Sequence, residues 1–376
     1  MEFTPIETEG LVMEELNSGF KHMPVVLDDM RPDEVLVEMK YTGICHTDLV
    51  ASAGAYTVLD FPAVPGHEGA GVVRAVGPEV KDTSLKVGAS VILSFNHCDS
   101  CANCSAGHPA CCSRFEHLNL AAKRLDNSNS AKLTDGRRVS SQFFGQSSFL
   151  KLSVVSQHSV IQCPYPENLA LYAALGCGFQ TGAGTVLNAL KPSVDDSFLI
   201  FGAGTVGIAA IMAARYLGLR QIIVVDIVNE KLELAKELGA TQVVNSREVK
   251  DIPCEIQKIT DGGARFAIDC TGVSAVIDMM IDCVCCRGTV GVVGSPDPNF
   301  VLKLDPVHLL HNNKTVRGIC QGDSIAQEFI PRMMELHRSG NFPLEKLCSF
   351  YDVKDFEQAI NEVRNGKIIK PILKWS

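Results

Sequence analysis

The sequence predicts an α/β protein in which a doubly wound parallel sheet is inserted into a second, β-rich domain. Three observations predict it. From about residue 180 apolar strands alternate with helices, the rhythm of parallel strands joined by right-handed crossovers. The first half instead reads as short strands punctuated by glycine turns. At 376 residues the chain is long for one hydrophobic core, so two domains are expected.

In chain order, DEVLVEMK at 33–40 alternates apolar and polar residues, as a half-buried strand does. GAGVVRAVG at 69–77 and VGASVILSF at 87–95 read as further β segments. Residues 121–148 are polar and turn-rich, and read as a surface excursion before the strand FLKLSVV. DSFLIFGAG is then strand and glycine turn, TVGIAAIMAARYLG a helix ending at Gly218, and QIIVVD a buried strand. NEKLELAKELGA is an amphipathic helix stopped at Gly239, and TQVVN a short strand. RFAIDCTG and GTVGVVG at 288–294 repeat the strand–glycine unit. The chain leaves this sheet near Gly318 and ends in a helix around 324–339 and the strand-like IIKPILKW. The expected organisation is 1–178 and 319–376 for the β-rich domain, and 179–318 for the inserted one.

Composition excludes several classes. With 46% hydrophobic and 20% charged residues the chain reads as an ordinary globular protein. MEFTPIETEG carries three glutamates and no apolar core of a signal peptide. VGIAAIMAA at 206–214 is too short to span a bilayer, so no membrane partner is expected. A net charge of −9 argues against nonspecific nucleic-acid binding. The expected location is cytoplasmic. There, 15 cysteines point to thiolate ligation rather than a disulfide framework.

Six of those cysteines fall in metal patterns. Cys98, Cys101, Cys104 and Cys112 form C-x2-C-x2-C-x7-C, which suits a closed structural zinc; Cys111 is a neighbour that could replace Cys112. Cys45, His67 and Cys177 lie far apart, in GICHTD, GHEGAG and GCGFQTG. Each alone reads as a core residue. Together, two thiolates and an imidazole suit an open catalytic zinc that keeps a position for water or substrate. Asp48 and Glu68 stand beside these ligands, where a carboxylate can orient the histidine ring or modulate the metal. The alternatives are a turn residue or cap for Asp48 and a solvated charge for Glu68.

FGAGTVG places Gly202, Gly204 and Gly207 between a strand and a helix, a Rossmann dinucleotide fingerprint. Asp226 follows 19 residues after Gly207, at a strand end. There it would accept the adenosine ribose hydroxyls and repel a 2′-phosphate, which favours NAD over NADP. Lys231 is within reach of the ribose, or is an ordinary helix charge. An open zinc beside a nicotinamide site implies hydride transfer between an alcohol and a carbonyl.

With GICHTD, PGHEGAG, the four-cysteine loop, GCGFQTGAG, GAGTVG with Asp226, and IDCTG at 268–272, the chain resembles the zinc-dependent medium-chain alcohol dehydrogenases over nearly its whole length. The resemblance implies a GroES-like catalytic domain split around the Rossmann domain, with the active site in the cleft between them. It implies two zinc ions per chain and NAD as cofactor. Cys45, His67 and Cys177 match its catalytic zinc ligands, and Cys98, Cys101, Cys104 and Cys112 its structural ones. Thr47 matches the hydroxyl that takes the alcohol proton. His46 and Lys370 match positions on the cofactor pyrophosphate, and Thr181, Val206 and Val293 positions that pack the nicotinamide. A homodimer or homotetramer through the Rossmann sheet edge is also implied.

One departure matters. Relatives that end the proton relay in a surface histidine carry it a few residues after the GICHTD-type motif; Val50 stands there. In this, and in QFFGQSSF at 142–149, the chain resembles the aryl (benzyl) alcohol dehydrogenase branch. The expected substrate is a small-molecule alcohol or aldehyde, primary and aromatic or allylic. Other readings on the same site are a pathway-specific oxidoreductase of secondary metabolism and a glutathione-dependent formaldehyde dehydrogenase. A zinc-free reductase would lack the ligand cysteines, and a non-catalytic binding protein would have no need of Thr47.

Overall fold

The computed structural model describes residues 3–375. They form two compact units: the chain up to Cys177 together with Ile325 onward, and Gly178–Ser324.

In the second unit six parallel strands lie in the order Gln242–Asn245, Gln221–Asp226, Ser197–Phe201, Ala264–Asp269, Val284–Val292, Thr315–Gly318. In chain order this is 3-2-1-4-5-6, the doubly wound arrangement whose direction reverses between Ser197–Phe201 and Ala264–Asp269. Those strands are continuous apolar runs because helices cover both faces of a parallel sheet. Phe198, Leu199, Ile200, Ile223, Val224, Ala267 and Ile268 are completely buried. The helix Thr205–Tyr216 buries every residue from Gly207 to Ala214, which explains a sequence apolar on most faces.

The glycine fingerprint sets how that helix meets the sheet. Gly202 has φ +93°, a conformation only glycine adopts without strain. A Cβ on Gly207 would lie 1.8 Å from the Gly202 carbonyl oxygen, so helix and strand approach through bare backbone.

The expected return of the chain at residue 319 comes later. Past Gly318 the turn Gln321–Asp323 still packs on this unit. Asn188 Nδ2 donates to Ser324 Oγ at 3.1 Å, and Arg317 pairs with Asp323 at 2.9 Å. These contacts hold the chain with the second unit through Ser324.

The first unit contains two sheets. Ile6–Val12, Lys21–Leu27, Ala131–Leu133 and Arg138–Val139 form an antiparallel four-stranded sheet. A seven-stranded sheet runs Cys348–Asp352, Lys370–Lys374, Glu34–Gly43, Gly69–Val76, Ser90–Leu93, Val160–Gln162, with Leu152–Ser156 also on Glu34–Gly43. Leu11, Val25, Leu27, Val35, Val37, Leu133 and Val139 pack into its core. The C-terminal strand pairs antiparallel with the end of Glu34–Gly43, Ile372 opposite Gly43 and Leu373 opposite Thr42. This pairing carries Lys370 next to the start of the GICHTD motif. No helix among the described residues is long and apolar enough to cross a membrane.

Gly207→Ala tests the close approach. The added methyl must push the helix off the sheet, and should lower unfolding free energy by about 1–3 kcal/mol in urea melts; unchanged stability would refute it.

Candidate active site

Strand Glu34–Gly43 runs through Ile44 into Cys45, which caps helix His46–Ser52. Asp48, on the first turn of that helix, is completely buried. Its Oδ2 accepts from the Cys45 backbone N–H at 2.9 Å. Its Oδ1 accepts from Gly66 N–H at 3.0 Å and lies 2.8 Å from His67 Nδ1. One carboxylate thus ties the GICHTD and GHEGAG motifs together. His67 is fixed between this carboxylate and the Phe144 ring, stacked at 4.5 Å. Cys177 closes the group from the end of the 3₁₀ turn Ala173–Gly176, which is anchored by Ser94 Oγ donating to Gly176 O at 2.7 Å.

Ligand atoms of Cys45, His67, Glu68 and Cys177 all lie within 4.8 Å of one another. His67 Nε2 is buried with no hydrogen-bond partner, its other nitrogen being held by Asp48. A buried nitrogen lone pair beside two thiols is what a zinc ligand set requires, so these residues fit the metal. The hydrogen bond with Cys177 is the largest effect pulling the Cys45 thiol well below its ordinary range; burial opposes it, and His67 adds to it. The same bond, with burial, pushes Cys177 well up. Burial pulls the His67 imidazole down, but Asp48 and Cys45 outweigh it and the net shift is upward.

Thr47 stands on the same turn, half-buried, its hydroxyl 3.8 Å from the Cys45 sulfur. His46 is exposed beside it. Glu68 turns to Lys370, whose ammonium donates to both carboxylate oxygens at 2.9 and 2.8 Å and to Ile44 O at 3.3 Å. Lys370 is 1% exposed. The Lys370 ammonium, expected on the cofactor pyrophosphate, is here paired with Glu68 beside the metal group. The strand pairing of Lys370–Lys374 puts it there. Glu68 is likewise a buried ion-pair partner rather than a solvated charge. Burial pushes its carboxyl up, and Lys370 opposes that shift.

Cys98, Cys101, Cys104 and Cys112 form the second group within the same distance. Backbone N–H groups of Ser113 and Arg114 reach the Cys101 and Cys112 sulfurs at 3.5 and 3.4 Å, contacts that favour thiolates. The backbone N–H groups of Cys104 and Ser113 pull the Cys101 thiol down to about 5. Cys112 is buried in the group, whereas Cys111 is exposed on the turn Pro109–Cys111 and stands outside it.

In the other unit, Gly202, Gly204, Asp226 and Val293 gather at the carboxyl ends of the parallel strands, where such sheets bind dinucleotides. Asp226 Oδ2 accepts from Ala203 N–H at 2.7 Å; Oδ1 accepts from Ile227 and Val228 N–H at 2.7 and 2.9 Å. These bonds hold a negative charge against the glycine turn. Lys231 lies on the first turn of the following helix, half-buried, and Val206 on the first turn of the fingerprint helix. Thr181 is nearly buried on helix Gly178–Gly184, its hydroxyl 3.5 Å from Gln321 Oε1.

Sequence reasoning missed a buried aromatic cluster around His67. Phe143 meets its ring edge-on at 5.8 Å, and Tyr56 lies 6.5 Å from Phe143. Phe144 is held at φ +53°, a strained conformation for an aromatic residue. A buried network holds this turn. Arg124 donates to both oxygens of Glu34 at 2.7 and 2.6 Å and to Asp29 at 2.6 Å, while Gln142 donates to Glu34 at 2.9 Å. Within 121–148, Arg124 and Ser140–Ser148 are anchored in the core, whereas 125–127 and 134–138 are exposed as the expected surface excursion. The one sequence signal of the core part is the adjacent aromatic pair before Gly145.

Residues 205–338 match the zinc-binding dehydrogenase family, and residues 31–165 the alcohol dehydrogenase GroES-like domain. A geraniol dehydrogenase of Castellaniella defragrans is 38% identical over 371 residues, 98% of each chain. Among solved structures, an alcohol dehydrogenase zinc-binding domain protein from Burkholderia ambifaria is 42% identical with a TM-score of 0.94, covering 99% of both chains. The benzyl alcohol dehydrogenase of Acinetobacter calcoaceticus is 37% identical with a TM-score of 0.93, covering 99% of this chain and 100% of that one.

Asp48→Asn keeps the shape but removes the charge that orients His67. It should weaken zinc binding about 10–100-fold, measured by competition with a chelator; wild-type affinity would show that the carboxylate does not orient the ligand.

Proposed function

The chain belongs to the zinc-dependent medium-chain alcohol dehydrogenases, and from that premise we propose that it interconverts primary aromatic or allylic alcohols and their aldehydes with NAD. The convergence of Cys45, His67 and Cys177 beside the Thr47 hydroxyl carries this reading.

When bound, the zinc supplies the Lewis acidity that makes an alcohol hydroxyl acidic, and NAD supplies the hydride acceptor. The chain's own residues do the rest. Asp48 fixes the tautomer and orientation of His67. Lys370 balances the charge of Glu68 beneath the thiols. Thr47 Oγ receives the alcohol's hydroxyl proton and passes its own proton onward as the carbonyl forms. Asp226, tied to the glycine turn at the strand end, would repel a 2′-phosphate on the adenosine ribose, which supports NAD over NADP.

Two observations support the substrate class. The relatives bear the names geraniol and benzyl alcohol dehydrogenase. Both alcohols place a π system next to the carbinol carbon. Tyr56, partly exposed and packed toward the buried Phe143 beside His67, gives this chain an aromatic face suited to stacking such a π system. A homo-oligomer is supported by the edge strand Thr315–Gly318 and by Val301 and Leu310, which are 76% and 72% exposed. A cytoplasmic location is supported by two thiol-rich groups that need reducing conditions.

Nicotinamide absorbance with benzyl, cinnamyl, straight-chain and secondary alcohols tests the reading. Benzyl and cinnamyl alcohols should be the best substrates, and Thr47→Val should lower kcat for them by about 100-fold or more. Turnover confined to straight-chain or secondary alcohols would overturn the substrate class, and a fully active Thr47→Val would overturn the proton acceptor.

A further inference from the structure

Asp48 holds the ring of His67, and a different side chain holds its backbone. Gln146, in the QFFGQSSF segment, is completely buried. Its Nε2 donates to His67 O at 3.0 Å and to Ser94 O at 2.9 Å, and its Oε1 accepts from Gly69 N–H at 3.1 Å. Two carbonyls on one side and an N–H on the other fix which way the amide points. Strands Gly69–Val76 and Ser90–Leu93 pair as far as Ala70 opposite Ile92. Beyond that pair the amide stands between the two chains, bonded to both as a peptide group would be. Ser94 carries the link onward. Its Oγ donates to Gly176 O at 2.7 Å, one residue before Cys177. A Cβ on Gly176 would lie 2.1 Å from Leu93 O, so this turn rests directly on the strand end. A run of hydrogen bonds therefore leads from His67 through Gln146 and Ser94 to the residue before Cys177.

We propose that Gln146 is the positioning residue that sets the spacing of His67 and Cys177, and with it the fit of the site to zinc. This role rests on the function proposed above only in assigning Cys45, His67 and Cys177 to the metal, and it does not depend on the substrate. Cys45 needs no such link, because its chain continues strand Glu34–Gly43 and Asp48 already ties it to His67. Cys177 arrives from a distant segment, and the strand end that carries Ser94 is where that segment is bonded. Gln146 also closes the aromatic turn: its N–H donates to Phe143 O at 3.0 Å, and its carbonyl accepts from Ser153 Oγ. The turn that stacks Phe144 on the His67 ring and the amide that holds the His67 carbonyl are therefore one unit. Without the amide, two buried carbonyls and one buried N–H would lose these partners, and the chain ends would shift to find others.

Gln146→Met keeps the length of the side chain and removes all three bonds of the amide. Ser94→Ala removes only the bond to Gly176. Zinc release to a chelator and the visible ligand-field bands of the cobalt-substituted protein read the site without any turnover. The four-cysteine group lies in the same compact unit, so its zinc reports whether that unit is intact. Gln146→Met should hold the metal of Cys45, His67 and Cys177 about 10–100-fold more weakly while keeping the four-cysteine zinc, and its cobalt bands should shift. Ser94→Ala should shift the same bands and weaken the same site by about tenfold. A Gln146→Met protein with wild-type zinc affinity and cobalt bands overturns the proposal even if it melts earlier, because the amide then only closes the sheet. Unchanged cobalt bands in Ser94→Ala overturn it as well, because the link to Cys177 then carries nothing. Where Gln146→Met loses both zincs the unit has not folded, and Ser94→Ala alone decides. A wild-type protein that binds only the four-cysteine zinc overturns the metal assignment, and this role with it.

Discussion

Three groups converge on the buried carboxylate of Asp48: the Cys45 backbone N–H, the Gly66 backbone N–H and the His67 ring. Each bond sets one variable of the site. The first fixes where helix His46–Ser52 begins, and so where Cys45 and Thr47 stand. The second fixes the turn ahead of His67. The third leaves Nε2 as the imidazole nitrogen free to bind a metal. A carboxylate without solvent is costly to bury unless it is fully hydrogen-bonded, and Asp48 meets that condition. The protein's own hydrogen bonds thus set the positions of Cys45 and His67.

Charge balance is the second constraint. Two cysteine sulfurs, an imidazole and a carboxylate lie within 4.8 Å of one another. Lys370 answers the carboxylate with an ion pair whose side chains are 2% and 0% exposed. Removing either partner would leave an unpaired buried charge, which is strongly destabilising. Divalent zinc, when bound, would hold both cysteines as thiolates and balance their charge. The C-terminal strand thus serves the site electrostatically, and its pairing with Glu34–Gly43 is what brings it within reach.

The parallel sheet was legible in the sequence because both of its faces are covered, so Ser197–Phe201 and Gln221–Asp226 had to be continuous apolar runs. The metal groups were legible because few side chains ligate zinc, and four cysteines in one loop leave little else to do. The N-terminal strands Ile6–Val12 and Lys21–Leu27 were not anticipated, since IETEGLV and KHMPVVL lack clean alternation. Helices Ile252–Thr260 and Ser274–Cys283 were also missed. The position of Lys370 depends on a pairing more than 300 residues away in sequence, and no local pattern encodes it. The anchoring within 121–148 depends on Arg124 meeting Glu34, 90 residues back. Tyr56 lies in an irregular loop, where only the fold shows that its ring packs toward Phe143.

Zinc K-edge X-ray absorption on the purified protein tests the central claim most directly. The account predicts two zincs per chain, averaging about three sulfurs each at about 2.3 Å, with a nitrogen or oxygen shell near 2.0 Å. That average combines one four-sulfur site with one two-sulfur site containing His67. A pure four-sulfur shell with one zinc per chain would contradict it, because Cys45, His67 and Cys177 would then hold no metal.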